Sequence, residues 1–123
     1  MKKLEVLADS IMLRSGYLDP LDHLYMLRNP GGLKAHSDKH TKDDKGYRVF
    51  DKHIDGYRAL IYDLEVKCKG NSNCGLKSNS ALKELAYVFD LKDGDIRNML
   101  KHLRKALGFE TINEETPLVF FLE

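Results

Sequence analysis

The segment Arg28-Asn29-Pro30-Gly31-Gly32-Leu33-Lys34 separates two helical patterns at the start of this chain from the three that follow it. Pro30 fixes its own φ angle and biases Asn29 away from the helical conformation. Gly31 and Gly32 both tolerate positive φ angles. The segment therefore predicts the end of a helix and a sharp turn whose backbone lies close to another part of the molecule.

Apolar residues recur at helical spacing on both sides of this turn. They predict helices over residues 3–15, from Asp19-Pro20 to about Asn29, from Asp51 to about Lys69, from Ser78 or Ser80 to Phe89, and from Asp93 to Gly108. A last short element begins either at a capping box of Thr111 and Glu114 or at Pro117 behind Thr116. We expect a single all-α domain over residues 1–123, with five or six orthogonally packed helices and a long loop after Pro30.

The loop after Pro30 is strongly polar, and Ala35 to Lys45 contains no large apolar side chain. Ordering a segment costs about 1–2 kcal/mol of conformational entropy per residue, which such side chains cannot offset by burial. We expect this loop to be mobile in the free protein and to become ordered with a partner or an ion. Tyr47 to Phe50 is predicted to be extended and to hold the loop against the core.

The charges almost balance, with 20 basic and 19 acidic residues and a net charge of +1. No overall field therefore attracts the chain to nucleic acid or to an anionic membrane. No apolar run is long enough to predict a transmembrane helix, and Glu5 and Asp9 interrupt the N-terminal apolar pattern that a signal peptide needs. These features predict a cytoplasmic protein without a membrane partner.

The two cysteines, Cys68 and Cys74, flank a flexible polar segment that allows a disulfide. Without a secretion signal, two reduced thiols are favoured over that disulfide.

Three short motifs in residues 28–64 resemble a family of small bacteriophage and prophage proteins. That family carries Asn-Pro-Gly-Asn-(Ile/Leu)-(Arg/Lys), then Gly-Tyr-x-x-Phe, then Gly-x-Arg-Ala. The matching residues here are Asn29, Pro30, Gly31, Leu33 and Lys34, then Gly46, Tyr47, Phe50 and Asp51, then Gly56, Arg58, Ala59 and Leu60. Gly32 replaces the second Asn of the first motif. Tyr87-Val88-Phe89-Asp90 stands where family members often carry Trp-Ala-Pro-Pro.

Members of this family are commonly labelled virion structural proteins, and some are grouped with lysozyme-like or lytic-transglycosylase proteins. The resemblance implies a non-catalytic binding or structural module, which is virion-associated if the chain is phage-derived. It also implies the alternative of a lysozyme-like domain that binds or cleaves peptidoglycan. We expect a protein or a glycan as partner.

Each candidate for chemistry also has a purely structural interpretation. Glu65 lies beside the apolar face of its helix, as a glycosidase acid would, but it also stands four residues before Lys69, a spacing typical of an ion pair. His36 and His40 offer imidazoles for zinc, but their segment reads as a solvated loop. We therefore expect no catalytic residue, no metal and no cofactor.

A basic face on the fifth predicted helix allows nucleic-acid binding through a helix-turn-helix, a second alternative that the balanced net charge disfavours. The face consists of Arg97, Lys101, Arg104 and Lys105. The residues predicted to build the binding feature are instead those in and around the turn. They are Asn29, Pro30, Gly31, Gly32, Lys34, Tyr47 and Arg58.

Overall fold

A computed structural model describes residues 2–14, 22–35 and 39–123, and it confirms the predicted all-α fold. The described elements are α1 (Lys2–Met12), α2 (His23–Met26), α3 (His53–Cys68), α4 (Leu82–Val88), α5 (Asp93–Leu107) and a C-terminal 3₁₀ helix (Leu118–Leu122). No sheet is formed within the described ranges. Strand-like pairing there is limited to isolated bridges between Lys34 and Tyr47, Lys42 and Arg48, and Ala81 and Pro117.

The core forms around α1, which packs against α3, α5 and the 3₁₀ helix. Apolar side chains at helical spacing supply it, as the sequence predicts. Those with no exposed surface include Leu7, Ile11, Leu60, Leu64, Leu82, Leu85, Leu103, Leu118 and Phe121. A polar contact also joins α1 to α3, since the Tyr57 hydroxyl donates to the Asp9 carboxylate at 2.9 Å. Burial, together with this carboxylate, raises the pKa of Tyr57 to about 12.

The predicted C-terminal ends of two long helices are confirmed. Gly70 and Gly108 follow α3 and α5 with φ angles of 79° and 76°, the left-handed conformation that favours glycine. The apolar C-terminus docks on the core through Leu118 and Phe121, which confirms that the last element follows Pro117. No helix begins at Thr111. Thr116 does not cap the last element, because its hydroxyl instead accepts the Asn113 N–H in a turn.

The predicted N-terminal ends of the helices are less accurate. Lys52, rather than Asp51, precedes α3, and Ala81, rather than Ser78 or Ser80, precedes α4. The Ser80 hydroxyl instead accepts the Lys77 N–H at 2.8 Å and stabilises the preceding turn. Short-range hydrogen bonds of serine to the backbone compete with capping in this way.

The first two helices are shorter than predicted. α1 ends at Met12, after which the Arg14 guanidinium donates to the carbonyl groups of Phe89 and Pro30. Asp22 caps α2, with its carboxylate accepting the N–H groups of Leu24 and Tyr25. The predicted cap at Asp19-Pro20 lies outside the described residues.

The polar loop has more structure than its composition predicts. Ala35 N–H donates to Gly46 at 2.9 Å, and Val49 N–H donates to Thr41 at 2.8 Å. Asp43 accepts the backbone N–H groups of Lys45 and Tyr47 and contacts His23 of α2 at 2.7 Å. Polar contacts thus give residues 39–45 a defined backbone arrangement without apolar burial, and the expected mobility of this loop in the free protein stays a prediction. Residues 36–38 lie outside the described part.

Candidate functional site

The Asn29 side chain holds the turn together from inside the protein. It has no exposed surface, and its amide nitrogen donates to the carbonyl groups of Leu33 and Arg48 at 2.9 and 3.0 Å. Its amide oxygen accepts the Leu33 N–H at 2.9 Å. All three contacts are to backbone, so Asn29 joins the first motif to the segment that carries the second.

The third motif packs directly on the first at Gly56 of α3. A Cβ atom on Gly56 would lie 1.9 Å from the Arg28 carbonyl oxygen and 3.0 Å from Pro30. Gly31 also lies close to α3, although less closely, because a Cβ there would lie 2.8 Å from the end of the Leu60 side chain. Pro30 and Gly31 are buried. The tight turn that the glycines predict therefore exists, and it lies against α3.

A cleft of about 810 Å³ opens beside the turn. Its lining comes from the loop after the turn and its partner segment, from α3 and the loop that follows it, and from the end of α4. The residues that line the cleft are Leu33, Lys34, His40, Arg48, Ala59, Tyr62, Asp63, Val66, Lys67, Asn71, Ser72, Asn73, Cys74 and Val88.

The charges of this cleft are mostly positive. Lys34, Arg48 and Lys67 line it, whereas Asp63 is its single carboxylate among the described residues. Asp63 forms an ion pair with Lys67, which lies one turn further along α3. Lys34 and Arg48 have no such counter-ion within the described ranges. The described lining of the cleft therefore has a net positive charge.

The predicted binding residues divide between the interior and the cleft. Lys34 lines the cleft, and its ammonium group lies 3.8 Å from the centre of the Tyr47 ring. Tyr47 thus supports the cleft without lining it. Gly32 adopts a φ angle of 60°, and its α-carbon region faces Leu24, Arg14 and Tyr47. Asn29, Pro30 and Gly31 lie beneath this surface.

Arg58 lies apart from the other predicted residues. It is exposed on α3 and does not belong to the cleft lining. The sequence interpretation also misses Arg48, Tyr62 and the loop from Asn71 to Cys74. Arg48 lies inside the second motif between two aromatic residues, a signal that was available. Nothing local in the sequence singles out Tyr62.

Neither Glu65 nor Cys68, the two residues considered for catalysis, has the surroundings of a catalytic group. Glu65 pairs with Lys69 at 2.8 Å and lies outside the cleft lining. Burial raises the pKa of the Cys68 thiol to about 12, which makes it a poor nucleophile. Cys68 and Cys74 are not bonded to each other.

No three His, Cys, Asp or Glu side chains come together at metal-binding distances within residues 2–14, 22–35 and 39–123. His36, the first of the two histidines considered for zinc, lies outside these ranges.

The basic face of α5 is exposed at Arg97, Lys101 and Lys105. Arg104 is exposed as well, but its Nε–H donates a hydrogen bond to the Ile112 carbonyl at 2.7 Å. α5 begins with Asp93 and Asp95 in its first turn. Recognition helices place their N-terminal residues against base edges, and two carboxylates there would oppose DNA phosphates.

Comparisons with protein-family models, with curated proteins and with solved structures found no significant match for this chain. None of the described helices has the length and apolar character needed to cross a membrane.

Proposed function

We propose that this protein is a non-catalytic binding module of bacteriophage or prophage type, and that the cleft beside the turn is its binding site. The observation that carries the proposal is the cleft itself, because residues directly after the turn line it. Rigid backbone beside a surface cleft is a favourable arrangement for binding, since little entropy is lost when a partner docks. The phage assignment rests on the motif resemblance.

The three motifs contact one another in the folded chain. Asn29 binds the backbone of the second motif, and Gly56 of the third motif packs on the backbone at Arg28. The motif residues thus contact one another although they are separated in sequence. These contacts position Leu33 and Lys34, which line the cleft.

Glycan cleavage is less well supported than binding. It needs a protonated carboxylic acid and, in most enzymes, a second carboxylate at a defined distance from it. Asp63 is the one carboxylate among the described cleft residues, and it forms an ion pair with Lys67. We expect no release of reducing sugar from purified peptidoglycan, and no difference between wild type and Glu65→Gln.

The proposal is tested by mapping ligands onto the amide spectrum of the ¹⁵N-labelled protein. Soluble peptidoglycan fragments, a short acidic peptide and a DNA duplex are titrated separately. We expect at least one of the first two to shift the amide signals of Tyr62, Val66 and Asn73, which line the cleft. Tyr62→Ala should weaken that binding.

Tyr87→Ala is the matched control, because Tyr87 is also an exposed tyrosine but does not line the cleft. Shifts confined to α5 with the DNA duplex would instead support nucleic-acid binding. The absence of shifts at the cleft with every ligand would contradict the proposed binding function and leave a purely structural role.

A further inference from the structure

Arg48 is the most distinctive charged group of the cleft. Its guanidinium carbon lies 4.6 Å from the centre of the Phe50 ring, and Phe50 is buried. The Arg48 backbone is fixed on both sides, since its N–H donates to Leu33 and its carbonyl accepts from Asn29. Among the described residues, the guanidinium has no ion-pair partner. Arg48 therefore presents a positioned cation with unused donors.

Lys34 is a second cation in the lining of the cleft. Its ammonium group rests on the Tyr47 ring at 3.8 Å and donates to the Lys45 carbonyl at 3.4 Å. An ammonium group has three donors, so this contact leaves others for a ligand. The Lys34–Tyr47 and Lys42–Arg48 bridges join the Tyr47–Arg48 segment to the two segments that contain Lys34 and Lys42. The cations are thus presented by hydrogen-bonded backbone.

The rest of the cleft lining is uncharged or apolar, apart from His40 and the Asp63–Lys67 ion pair. Ala59, Val66 and Val88 give it apolar surface, and Tyr62 has 70% of its surface exposed. Asn71, Ser72 and Asn73 add neutral polar groups at its edge. A ligand matched to this lining carries both carboxylates and aliphatic groups.

We infer that the cleft binds an acidic segment of a partner protein, with separate carboxylates on Arg48 and on Lys34 and an aliphatic side chain against Val66 and Val88. This inference rests on the proposed binding function. A planar guanidinium can hold a carboxylate through two parallel hydrogen bonds, which gives direction as well as attraction. A neutral glycan would leave both cations without a counter-charge when it displaced their water. The cleft volume of about 810 Å³ lies within the range of ligand pockets.

The test uses two fluorescein-labelled peptides, Glu-Leu-Glu-Glu-Leu-Glu and the same peptide with glutamine at each glutamate. Fluorescence anisotropy measures their binding to the whole protein. We expect the glutamate peptide to bind at least about tenfold more tightly than the glutamine peptide, because hydrogen bonds to charged groups are stronger than neutral ones. Its affinity should fall as salt is raised.

Arg48→Met should weaken binding of the glutamate peptide about tenfold while keeping an apolar stem against Phe50. Arg48→Lys should bind with intermediate affinity, because it keeps the charge but loses the paired hydrogen bonds. Arg58→Met is the matched control, since Arg58 is an exposed arginine of α3 outside the cleft. Thermal melting of each variant verifies that the fold is retained.

Equal binding of the two peptides, or equal affinities of Arg48→Met and Arg58→Met, would overturn the inference. Soluble peptidoglycan fragments that shift the Tyr62 and Asn73 amides while the glutamate peptide does not would also overturn it. In that case the proposed binding function would stand with a glycan as ligand. If neither ligand shifted the cleft amides, the inference and the proposed function would both fail.

Discussion

Asn29 is a fully buried polar residue whose hydrogen bonds all go to backbone groups. A buried donor or acceptor that loses its partner costs about 1–3 kcal/mol. Asn29→Ala would leave the Leu33 N–H and the Arg48 carbonyl unpaired, whereas the Leu33 carbonyl would still accept the Arg48 N–H. We expect this substitution to lower the free energy of unfolding by about 3 kcal/mol or more, measured by urea denaturation. Asn98→Ala on the exposed face of α5 should change it by less than about 0.5 kcal/mol.

A small effect of Asn29→Ala combined with loss of peptide binding would contradict this assignment. Asn29 would then act at the binding surface rather than within the scaffold.

Alanine substitution at two helical glycines is expected to change the free energy of unfolding in opposite directions. Gly56→Ala would place a Cβ atom 1.9 Å from the Arg28 carbonyl oxygen, so backbone must move. We expect a loss of about 3 kcal/mol or more in the free energy of unfolding. At Gly94 of α5 the nearest atom to an added Cβ is the end of the Arg97 side chain at 3.8 Å. Gly94→Ala should therefore stabilise the protein by about 0.5–1 kcal/mol.

Chemical denaturation of the two variants beside wild type measures both changes. A stabilising Gly56→Ala would show that α3 does not pack this closely on the turn.

At the scale of elements, the Asp43 carboxylate holds the loop before α3 together through hydrogen bonds. Burial acts to raise the pKa of Asp43, but hydrogen bonds from the Tyr47 N–H, from His23 and from the Lys45 N–H outweigh it and lower the pKa. A carboxyl group whose pKa is lowered on folding stabilises the protein above its unfolded pKa, about 3.9 for aspartate. That contribution is lost as the pH falls through the folded value.

We therefore expect wild type to be more stable than Asp43→Asn at pH 7, and the difference to shrink below about pH 4. Urea denaturation of both proteins across this range measures it. Asp44→Asn is the control, since Asp44 is exposed, and its stability at pH 7 should match wild type within about 0.5 kcal/mol. A constant difference between wild type and Asp43→Asn at every pH would argue against the charge-dependent contacts.

At the scale of the whole molecule, the C-terminal 3₁₀ helix completes the core against α1 and α3. Phe121 has no exposed surface, whereas 40% of the Val119 surface is exposed two residues earlier. We expect Phe121→Ala to cost about 3–5 kcal/mol of unfolding free energy, as buried phenylalanines do, and Val119→Ala to cost less than about 0.5 kcal/mol. Thermal and urea denaturation measure both. Similar small losses would show that this segment docks only loosely.

The sequence alone determined the all-α fold, since apolar residues at helical spacing must be buried together and glycines such as Gly70 and Gly108 end helices through positive φ angles. It also determined the turn at Pro30, because backbone restriction is a local property. Helix N-termini were less predictable, as at Ser80, where a nearby backbone group competes for the same hydroxyl.

The site depends on contacts between segments that are distant in the sequence. Whether Asn29 faces solvent or the interior depends on Arg48, which lies far along the chain. The cleft joins Leu33 and Lys34 to α3 and the loop after it, and no local pattern encodes that proximity. The contacts of the loop around Asp43 could not be predicted for the same reason, because its partner His23 belongs to another element. Contacts between distant segments arise from packing of the whole chain, which local spacing does not specify.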